Sequence, residues 1–183
     1  MSGVVLASAS PRRRELLSNI CRDFEVRVSP VDEAAIAARC RSPKSTVLAL
    51  SLAKASAVPR KEGETVIGAD TVVCLGRKIL GKPKDEAEAA EMLRALSGRT
   101  HKVRTGVTVI KNGKPVCYAV CTRVCFRRLR EEEIAAYVSS GEGMDKAGGY
   151  GIQGGAGKFL RRLRGDYFNV VGLPLKRLST LIG

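Results

Sequence analysis

The sequence predicts an α/β fold with a mixed β-sheet, and two observations support this prediction. Short apolar runs of strand length alternate with longer segments whose apolar residues recur at helical spacing. Helix caps and hairpin turns separate these segments, in the order β-α-β-α-β-β-α-β-β-α-loop-β-β-α. Hairpins pair strands antiparallel and strand–helix–strand units pair them in parallel, so this order predicts a mixed sheet. With 183 residues, we expect a single domain over residues 1–183, folded as one lobe or two.

The first half of the chain is predicted to alternate strands with capped helices. Residues 4–7 form an apolar run typical of a buried strand. A helix over residues 11–20 follows, because Ser10 is a good N-cap and Pro11 suits the first helical position. Ser42 and Pro43 repeat this signal before a helix that reaches about residue 58. Strands are also predicted over residues 24–28 and 65–69.

The second half contains two predicted hairpins and three predicted helices. Gly76-Arg77 separates strands over residues 72–75 and 78–80, and Asn112-Gly113, a strong hairpin signal, separates strands over 103–110 and 116–126. Helices are predicted over residues 86–96 and 131–140. After the glycine-dense residues 141–157, strands are predicted over 159–164 and 167–171, and a last helix over 174–182.

The unusual feature of the composition is its charge. The net charge of +14 attracts polyanions such as nucleic acid, anionic membrane or phosphorylated small molecules, without choosing among them. Aromatic residues make up only 4% and Trp is absent, which weakens the case for a base-stacking surface. No apolar run is long enough to span a membrane, and the N-terminal residues do not match a signal peptide. We therefore expect a cytoplasmic protein.

The cysteines and the histidine offer no evident site. The chain has six cysteines without a C-x-x-C pair and one histidine, so zinc has little support. Cys117, Cys121 and Cys125 are evenly spaced in a predicted strand and should face one side, where we expect buried, reduced thiols. The spacing suggests no nucleophilic partner for His101, so a catalytic triad is unsupported.

Residues 8–13, Ser-Ala-Ser-Pro-Arg-Arg, are candidates for binding an anion. A strand that opens into a helix presents free backbone N–H groups at the positive end of the helix dipole. The hydroxyl groups of Ser8 and Ser10 can donate hydrogen bonds, and the forked guanidinium groups of Arg12 and Arg13 match phosphate oxygens. An ordinary helix N-terminus with solvated arginines would give the same pattern, so both interpretations stay open.

Asp70 follows a predicted strand of apolar residues and is a candidate for metal or proton chemistry. Ligands collect at the C-terminal ends of sheet strands. A carboxylate there could bind Mg²⁺, together with substrate phosphates and water, or accept a proton from attacking water. A structural aspartate that bonds nearby backbone N–H groups in a turn is the alternative.

Lys82 and Gln153 are further candidates for binding substrate. Lys82 lies between a glycine and a proline, which restrict the backbone, and could present its charge to a phosphate. Gln153 lies in the glycine-dense segment, and its amide offers a donor and an acceptor that fit the edge of uracil or thymine. A surface turn and a flexible loop are the respective alternatives.

Taken together, an ordered set of motifs over nearly the whole chain resembles the Maf family of nucleoside triphosphate pyrophosphatases. The set comprises residues 6–13 (LASASPRR), 31–33 (VDE), 68–72 (GADTV), 81–83 (GKP), 96–101 (LSGRTH), 146–154 (KAGGYGIQG) and 170–174 (VVGLP). The resemblance implies a two-lobed α/β fold with an elongated mixed sheet flanked by helices, related to the inosine triphosphatase fold. It also implies a homodimer, a divalent cation such as Mg²⁺ or Mn²⁺, and cleavage between the α- and β-phosphates.

The resemblance also implies roles for individual residues. Asp70 matches the proton acceptor, close to the metal, and Glu33 matches a metal-associated carboxylate. The phosphate-binding residues would be Ser8, Arg12, Arg13, Lys54 and Lys82. Arg12, Thr71 and Gln153 match the branch that prefers dTTP and UTP. The strong positive charge is not a family trait that we can explain.

The hypothesis is therefore metal-assisted attack of water at the α-phosphate of dTTP or UTP, with modified pyrimidine nucleotides as further possible substrates. A competing hypothesis is a non-catalytic protein that binds nucleic acid through its basic surface. Binding of that kind would weaken steeply with salt, whereas the enzyme hypothesis predicts metal-dependent turnover of free nucleotides. The sequence does not separate a role in sanitising the nucleotide pool from one in arresting cell division.

Overall fold

A computed structural model describes residues 3–183 of the chain. The strands are β1 (Val4–Leu6), β2 (Phe24–Val26), β3 (Thr65–Leu75), β4 (Lys78–Leu80), β5 (Thr100–Lys111), β6 (Lys114–Phe126) and β7 (Leu160–Arg164). The helices are α1 (Pro11–Ser18), α2 (Glu33–Ala38), α3 (Pro43–Ala57), α4 (Glu86–Leu96), α5 (Glu131–Ser139), α6 (Tyr167–Val171) and α7 (Leu175–Ile182). Two 3₁₀ turns, Ala147–Gly149 and Gly155–Phe159, interrupt the glycine-dense segment. No helix within residues 3–183 is long and apolar enough to cross a membrane.

The strands form a mixed sheet, which confirms the predicted fold class. In the described part of the chain the sheet has 7 strands in the order β2-β1-β3-β5-β6-β7, with β4 paired to β3. Strand β1 pairs in parallel with both β2 and β3, because a helical connection lies between them in each case. The pairs β3–β4 and β6–β7 are antiparallel.

The β5–β6 hairpin turns at Asn112 and Gly113, as predicted, and both residues have the positive φ that this tight turn requires. Two contacts show the register of the hairpin. Near the turn, Thr108 Oγ1 donates to Cys117 Sγ at 3.3 Å. At the far end, the Phe126 N–H donates to the Arg99 carbonyl at 3.0 Å. The same number of residues separates the two contacts on each strand, so the pairing register between them is unbroken.

The chain divides into two compact units. The first unit contains Met1–Thr71, Thr105–Val120 and Gly172–Gly183. Two glycines let α3 pack unusually close to its strands. A Cβ atom at Gly68 would lie 2.3 Å from the Ser51 carbonyl oxygen, and one at Gly106 would lie 2.2 Å from the Val47 carbonyl oxygen. This approach brings the C-terminal half of α3 against the residues that follow Gly68 in β3.

The second unit contains Val72–Arg104 and Cys121–Val171. Its core includes a group of rings stacked edge to face, formed by His101, Phe126, Tyr150, Phe159 and Tyr137. Helices α4 and α5 contact each other, and α4 also contacts the first 3₁₀ turn. The division does not test the predicted single domain over residues 1–183, which stays a prediction.

Three sequence predictions of secondary structure are wrong. The strands predicted over residues 65–69 and 72–75 are one strand, β3, because it continues from its pairing with β1 to its pairing with β4. Asp70 therefore lies inside a strand and not at the C-terminal end of one.

Residues 167–171 form helix α6 and not a strand. One reason is long-range, because the Asn169 side chain donates to the Val103 carbonyl and to Thr122 Oγ1. The other is local, because the Asn169 N–H donates to Asp166 Oδ1, three residues earlier, in the manner of a helix N-cap. Helix α2 was not predicted. It begins after Asp32, whose carboxylate accepts the Ala35 N–H at 2.9 Å.

The expectation of buried thiols on β6 is also wrong. Cys117 and Cys121 are exposed and Cys125 is half-buried, although the three lie on one face as predicted. The intervening residues Tyr118 and Thr122 are buried, so β6 packs through its opposite face. All cysteines within residues 3–183 are free thiols.

Candidate active site

Lys54, Asp70 and Glu33 form an ionic cluster in the first unit. The Lys54 Nζ lies 2.7 Å from Asp70 Oδ1 and 2.9 Å from Glu33 Oε1. Lys54 and Asp70 are buried, whereas Glu33 is exposed at the first turn of α2. The close packing of α3 on Gly68 explains the first contact, because Lys54 lies one turn beyond Ser51 and Asp70 lies two residues beyond Gly68.

The charged groups of the cluster shift one another's pKa values. Burial raises the pKa of Asp70, and the positive charges of Lys54 and Arg13 oppose this change. Burial also lowers the pKa of Arg13, and the negative charges of Asp70 and Glu33 oppose that change. Arg13 therefore lies close enough to both carboxylates to interact with them. A buried carboxylate with a raised pKa, beside fixed cations, is typical of a functional site.

Three hydrogen bonds hold the Arg13 guanidinium in one orientation. Its Nε donates to the Gly172 carbonyl at 3.0 Å, its Nη1 to Ser8 Oγ at 3.2 Å, and its Nη2 to Thr71 Oγ1 at 3.1 Å. A guanidinium has five N–H groups, so two remain for a ligand. Gly172 has a φ of +130°, and a Cβ there would lie 3.6 Å from Arg13 Nε. At 3.6 Å that contact is an ordinary one, so glycine is favoured here by the positive φ, which L side chains rarely adopt, and not by a lack of space.

The N-terminus of α1 lies beside this guanidinium. Ser10 caps the helix, and its hydroxyl accepts the Arg13 N–H at 3.5 Å. The Ser10 N–H in turn donates to Ser8 Oγ at 3.3 Å. Arg12 is half-buried in the first turn of α1, and its charge lowers the pKa of Arg13. The predicted anion-binding residues are therefore grouped around one helix end.

Thr105 extends the group and was missed by the sequence analysis. Its Oγ1 lies 2.9 Å from Thr71 Oγ1, and the residue is fully buried. Together with the bond from Arg13, this contact fixes the position of the Thr71 hydroxyl group. The signal in the sequence was weak, because a threonine in a strand is common and only the fold brings β5 against β3.

Lys82 and Gln153 belong to the second unit, whereas the other predicted site residues lie in the first. Lys82 is exposed and follows Gly81, whose carbonyl accepts the Gly148 N–H at 2.9 Å. Gln153 is exposed between Gly151 and Gly155.

Glu142 and Tyr137 bind both ends of the segment that carries Gln153, and neither role was predicted from the sequence. The Tyr137 hydroxyl accepts the Gly151 N–H at 2.9 Å and donates to Glu142 Oε1 at 3.2 Å. The Gly155 N–H donates to Glu142 Oε2 at 2.8 Å. A Cβ at Gly154 would lie 2.2 Å from Glu142 Oε1, so a larger residue would separate the segment from this carboxylate.

The predicted metal ligands fit a hard divalent cation. Asp70 and Glu33 each direct one carboxylate oxygen to the same ammonium group, so both face one cationic position. Residues 3–183 contain no group of three or more histidine, cysteine or acidic residues placed to hold a metal, so a cation here would have these two carboxylates as its protein ligands. Mg²⁺ is commonly bound by one or two carboxylates together with substrate phosphates and water, and this donor set matches that requirement.

Comparisons with known proteins show similarity over the whole described chain. A family model described as Maf, Maf-like protein, matches residues 3–183. The chain is 52% identical over 174 residues to a protein from Thermococcus gammatolerans named dTTP/UTP pyrophosphatase, covering 94% of this chain and 91% of the relative. It is 51% identical over 179 residues to a protein of the same name from Bacillus cereus (strain AH820), covering 97% and 93%.

One solved structure shows the same fold at low sequence identity. The structure of a HAM1 protein from Coxiella burnetii matches with a TM-score of 0.53 and 17% identity, covering 100% of this chain and 98% of that protein. At this identity the likeness describes the arrangement of helices and strands and does not extend to activity.

Proposed function

This chain belongs to the Maf family, and from that premise we propose that it hydrolyses dTTP and UTP to the monophosphate and pyrophosphate. The observation that carries the proposal is the cluster in which Lys54 joins the carboxylates of Asp70 and Glu33 beside Arg13. Cleavage of a phosphoanhydride needs a proton acceptor and preorganised positive charge, and this cluster contains both. Relatives of similar length that share about half of the residues are named dTTP/UTP pyrophosphatases.

Asp70 is assigned as the proton acceptor. Its pKa is raised by burial, so it accepts a proton more readily than an exposed aspartate does. Water attacks the α-phosphorus, a new P–O bond forms, and the proton passes to Asp70. The bond between the α-phosphorus and the bridging oxygen breaks, and pyrophosphate leaves with that oxygen. Before the attack, the Lys54 ammonium keeps the Asp70 carboxylate oriented and ionised.

Asp70 and Glu33 would hold the divalent cation, Mg²⁺ or Mn²⁺. A bound cation of this type acts as a Lewis acid that polarises phosphate oxygens and stabilises charge on the leaving group. Lys54 engages one oxygen of each carboxylate, and each carboxylate has a second oxygen that is suited to a hard cation.

The phosphate chain is assigned to the cationic residues and the α1 N-terminus. The Arg13 guanidinium retains two N–H groups in an orientation that is already fixed, so little entropy is lost when it binds a phosphate. Arg12, Ser8 and the Lys54 ammonium lie in the same unit and would bind further phosphate oxygens. Lys82 is proposed as a further phosphate ligand.

Thr71, Gln153 and Arg12 are assigned to recognition of the pyrimidine base. The Gln153 amide offers both a donor and an acceptor to the edge of uracil or thymine. A base that leaves either polar group buried and unpaired would bind less well by roughly 1–3 kcal/mol for each group. Selection therefore depends on how firmly these side chains are held.

Pyrophosphate release from dTTP, UTP, CTP, GTP, 7-methyl-GTP and ITP, measured with Mg²⁺, Mn²⁺ or EDTA, tests the proposal. We expect metal-dependent turnover led by dTTP and UTP. The Asp70→Asn variant should lose on the order of 10²-fold or more in kcat. The matched control is Asp23→Asn, because Asp23 is exposed, and it should retain normal turnover. Turnover led by a purine nucleotide would overturn the base assignment, and normal turnover by Asp70→Asn would overturn the catalytic one.

Two further parts of the proposal concern the oligomeric state and the cellular location of the enzyme. A homodimer is proposed on the family resemblance, and sedimentation equilibrium distinguishes it from a monomer. A cytoplasmic location is proposed because the described cysteines are free, which suits a reducing compartment. A role limited to non-catalytic binding of nucleic acid is not favoured, because relatives of matching length are named as enzymes.

A further inference from the structure

One face of the sheet in the second unit is exposed and strongly basic. Along β5, the exposed Lys102 and half-buried Arg104 alternate with buried His101 and Val103. The same alternation on β6 exposes Arg123 between the buried residues Thr122 and Val124. We call this surface the basic face, and its cations are Lys102, Arg104, Arg123, Arg162 and Arg164.

Three of these cations lie side by side across three strands. The printed register of β6 and β7 places Arg123 directly opposite Arg164. The hairpin register places Lys102 opposite Arg123. The contacts Thr108–Cys117 and Arg99–Phe126 lie on either side of this pair, and both fit the register in which each step forward along β5 matches one step back along β6. Residues directly opposite in antiparallel strands share a face. Lys102, Arg123 and Arg164 therefore form a row about 10 Å long, at two inter-strand spacings.

The charges of the basic face are not neutralised by the protein. Strands β5, β6 and β7 contain no acidic residue. Within residues 3–183, none of the five cations forms an ion pair. Other arginines of the second unit are paired, such as Arg94 with Glu131 at 2.8 Å. Like charges directly opposite destabilise a sheet, so this row carries a cost in the absence of a partner.

Lys102 and Arg104 lie close enough to Cys74 of β3 for their charges to act on its thiol group. The pKa of the Cys74 thiol is raised by burial, and the charges of Arg104 and Lys102 act against this rise. The aromatic rings of this unit pack with the buried His101 and Phe126, on the opposite side.

We propose that the basic face binds the phosphate backbone of a single-stranded nucleic acid, as a function additional to nucleotide hydrolysis. A row of cations across three strands presents a line of charge, which matches successive phosphates along a strand better than a single small anion. The strand residues of the face include no aromatic side chain, so we expect binding without selection among bases. This proposal does not depend on the assigned enzymatic activity.

The test is fluorescence anisotropy with a labelled oligodeoxyadenylate, longer than the roughly 4–16 nucleotides of common single-strand sites. An adenine oligonucleotide avoids a pyrimidine-selective site. The triple variant Lys102→Gln/Arg123→Gln/Arg164→Gln should bind at least about tenfold more weakly at low salt. The slope of log affinity against log salt should become shallower by about 2, because each phosphate contact on a single strand contributes about 0.7.

The matched control removes the same charge from the first unit. Arg41, Lys44 and Arg60 are exposed, so the triple variant Arg41→Gln/Lys44→Gln/Arg60→Gln changes net charge equally. We expect it to retain most of the affinity, and both variants to unfold at temperatures close to that of the parent protein. Equal loss of affinity in both variants would overturn the proposal, because net charge alone would then explain binding.

Two other results would also overturn it. Displacement of the oligonucleotide by saturating dTTP would place binding at the nucleotide site. Binding to vesicles of phosphatidylserine and phosphatidylcholine that depends on the basic face, without binding to the oligonucleotide, would assign the face to a membrane. Measuring pyrophosphate release in parallel separates failure of this proposal from failure of the proposed hydrolysis.

Discussion

Lys54 Nζ lies 2.7 Å from Asp70 Oδ1, and both side chains are buried. The two residues are 16 positions apart in the chain and meet because α3 packs directly on Gly68. Burial alone would favour a neutral Asp70, and the ammonium group offsets that effect. The pair therefore links the stability of the first unit to the ionisation of its candidate catalytic carboxylate.

Removing the cation from this pair should cost stability as well as activity. We expect Lys54→Met to lower the free energy of unfolding by about 3 kcal/mol, because the buried Asp70 carboxylate loses its hydrogen-bonded cation and keeps only the opposing charge of Arg13. The double variant Lys54→Met/Asp70→Asn should recover much of that loss but none of the turnover. Urea denaturation measures the first effect and pyrophosphate release the second. Additive losses of stability in the double variant would show that the two side chains are not coupled.

The Thr105 hydroxyl should act as a positioning group for Thr71. Thr105→Val keeps the shape but removes the oxygen that lies 2.9 Å from Thr71 Oγ1. We expect kcat/KM for dTTP to fall about tenfold, which corresponds to one buried hydrogen bond. The preference for dTTP over GTP should shrink, and Thr105→Ser should restore both values.

Thr108 provides a matched control for that experiment. It is also a buried threonine of β5, and its hydroxyl lies 2.9 Å from Ser51 Oγ. Thr108→Val should lower the free energy of unfolding without changing nucleotide preference. If the two valine variants changed kcat/KM alike, the effect at Thr105 would be a general consequence of altered packing and not of Thr71 position.

Glu142 should control base selection through the segment that carries Gln153. Its two carboxylate oxygens accept bonds from Tyr137 and from the Gly155 N–H. Glu142→Gln replaces the charged carboxylate with a neutral amide, whose hydrogen bonds to Tyr137 and to the Gly155 N–H are weaker, so the segment should loosen. We expect the dTTP-to-GTP ratio of kcat/KM to fall about tenfold while metal-dependent turnover persists. Glu132→Gln, an exposed change on α5, is the control and should leave the ratio unchanged.

The sequence predicted the regular elements well where local signals decide them. Helix α4 spans Glu86–Leu96 as predicted, because the Asp85 cap and the following apolar spacing are local. Residues 167–171 were predicted as a strand from their aromatic and β-branched composition. They form a helix partly because buried Asn169 bonds to Val103 and Thr122, residues that are distant in sequence. Tertiary contacts outweighed local propensity there.

The residues of the candidate site likewise fall into those that the sequence could identify and those that it could not. Asp70, Arg13 and the other motif residues could be identified because their residue types and order resemble those of a family. Thr105 and Glu142 could not, because an isolated threonine or glutamate carries no signal until the fold brings it to its partner. The row Lys102, Arg123 and Arg164 likewise could not be predicted, because it depends on how the strands are paired. The Asn112-Gly113 turn was the only sequence signal for that pairing.

His101 should make the stability of the second unit depend on pH. The residue is 1% exposed, and burial lowers the pKa of its imidazole to about 4. Its Nε2 lies 2.7 Å from the Tyr150 hydroxyl, and its Nδ1 has no hydrogen-bond partner within residues 3–183. In the unfolded chain the imidazole has its ordinary pKa of about 6.5. Below that pH the unfolded state therefore binds a proton that the folded state does not.

Titration of His101 should thus leave the free energy of unfolding unchanged above about pH 6.5 and should lower it as the pH drops toward 4. The slope from one proton is about 1.4 kcal/mol per pH unit, so the total loss approaches about 3 kcal/mol. Urea denaturation at several pH values measures it, and subtracting the profile of His101→Gln removes the contribution of the carboxylates. His101→Phe serves as a second variant if the glutamine is not tolerated in the ring cluster. Parallel profiles for the parent and either variant between pH 6.5 and 4 would show that the buried imidazole is protonated in the folded protein as readily as in the unfolded chain.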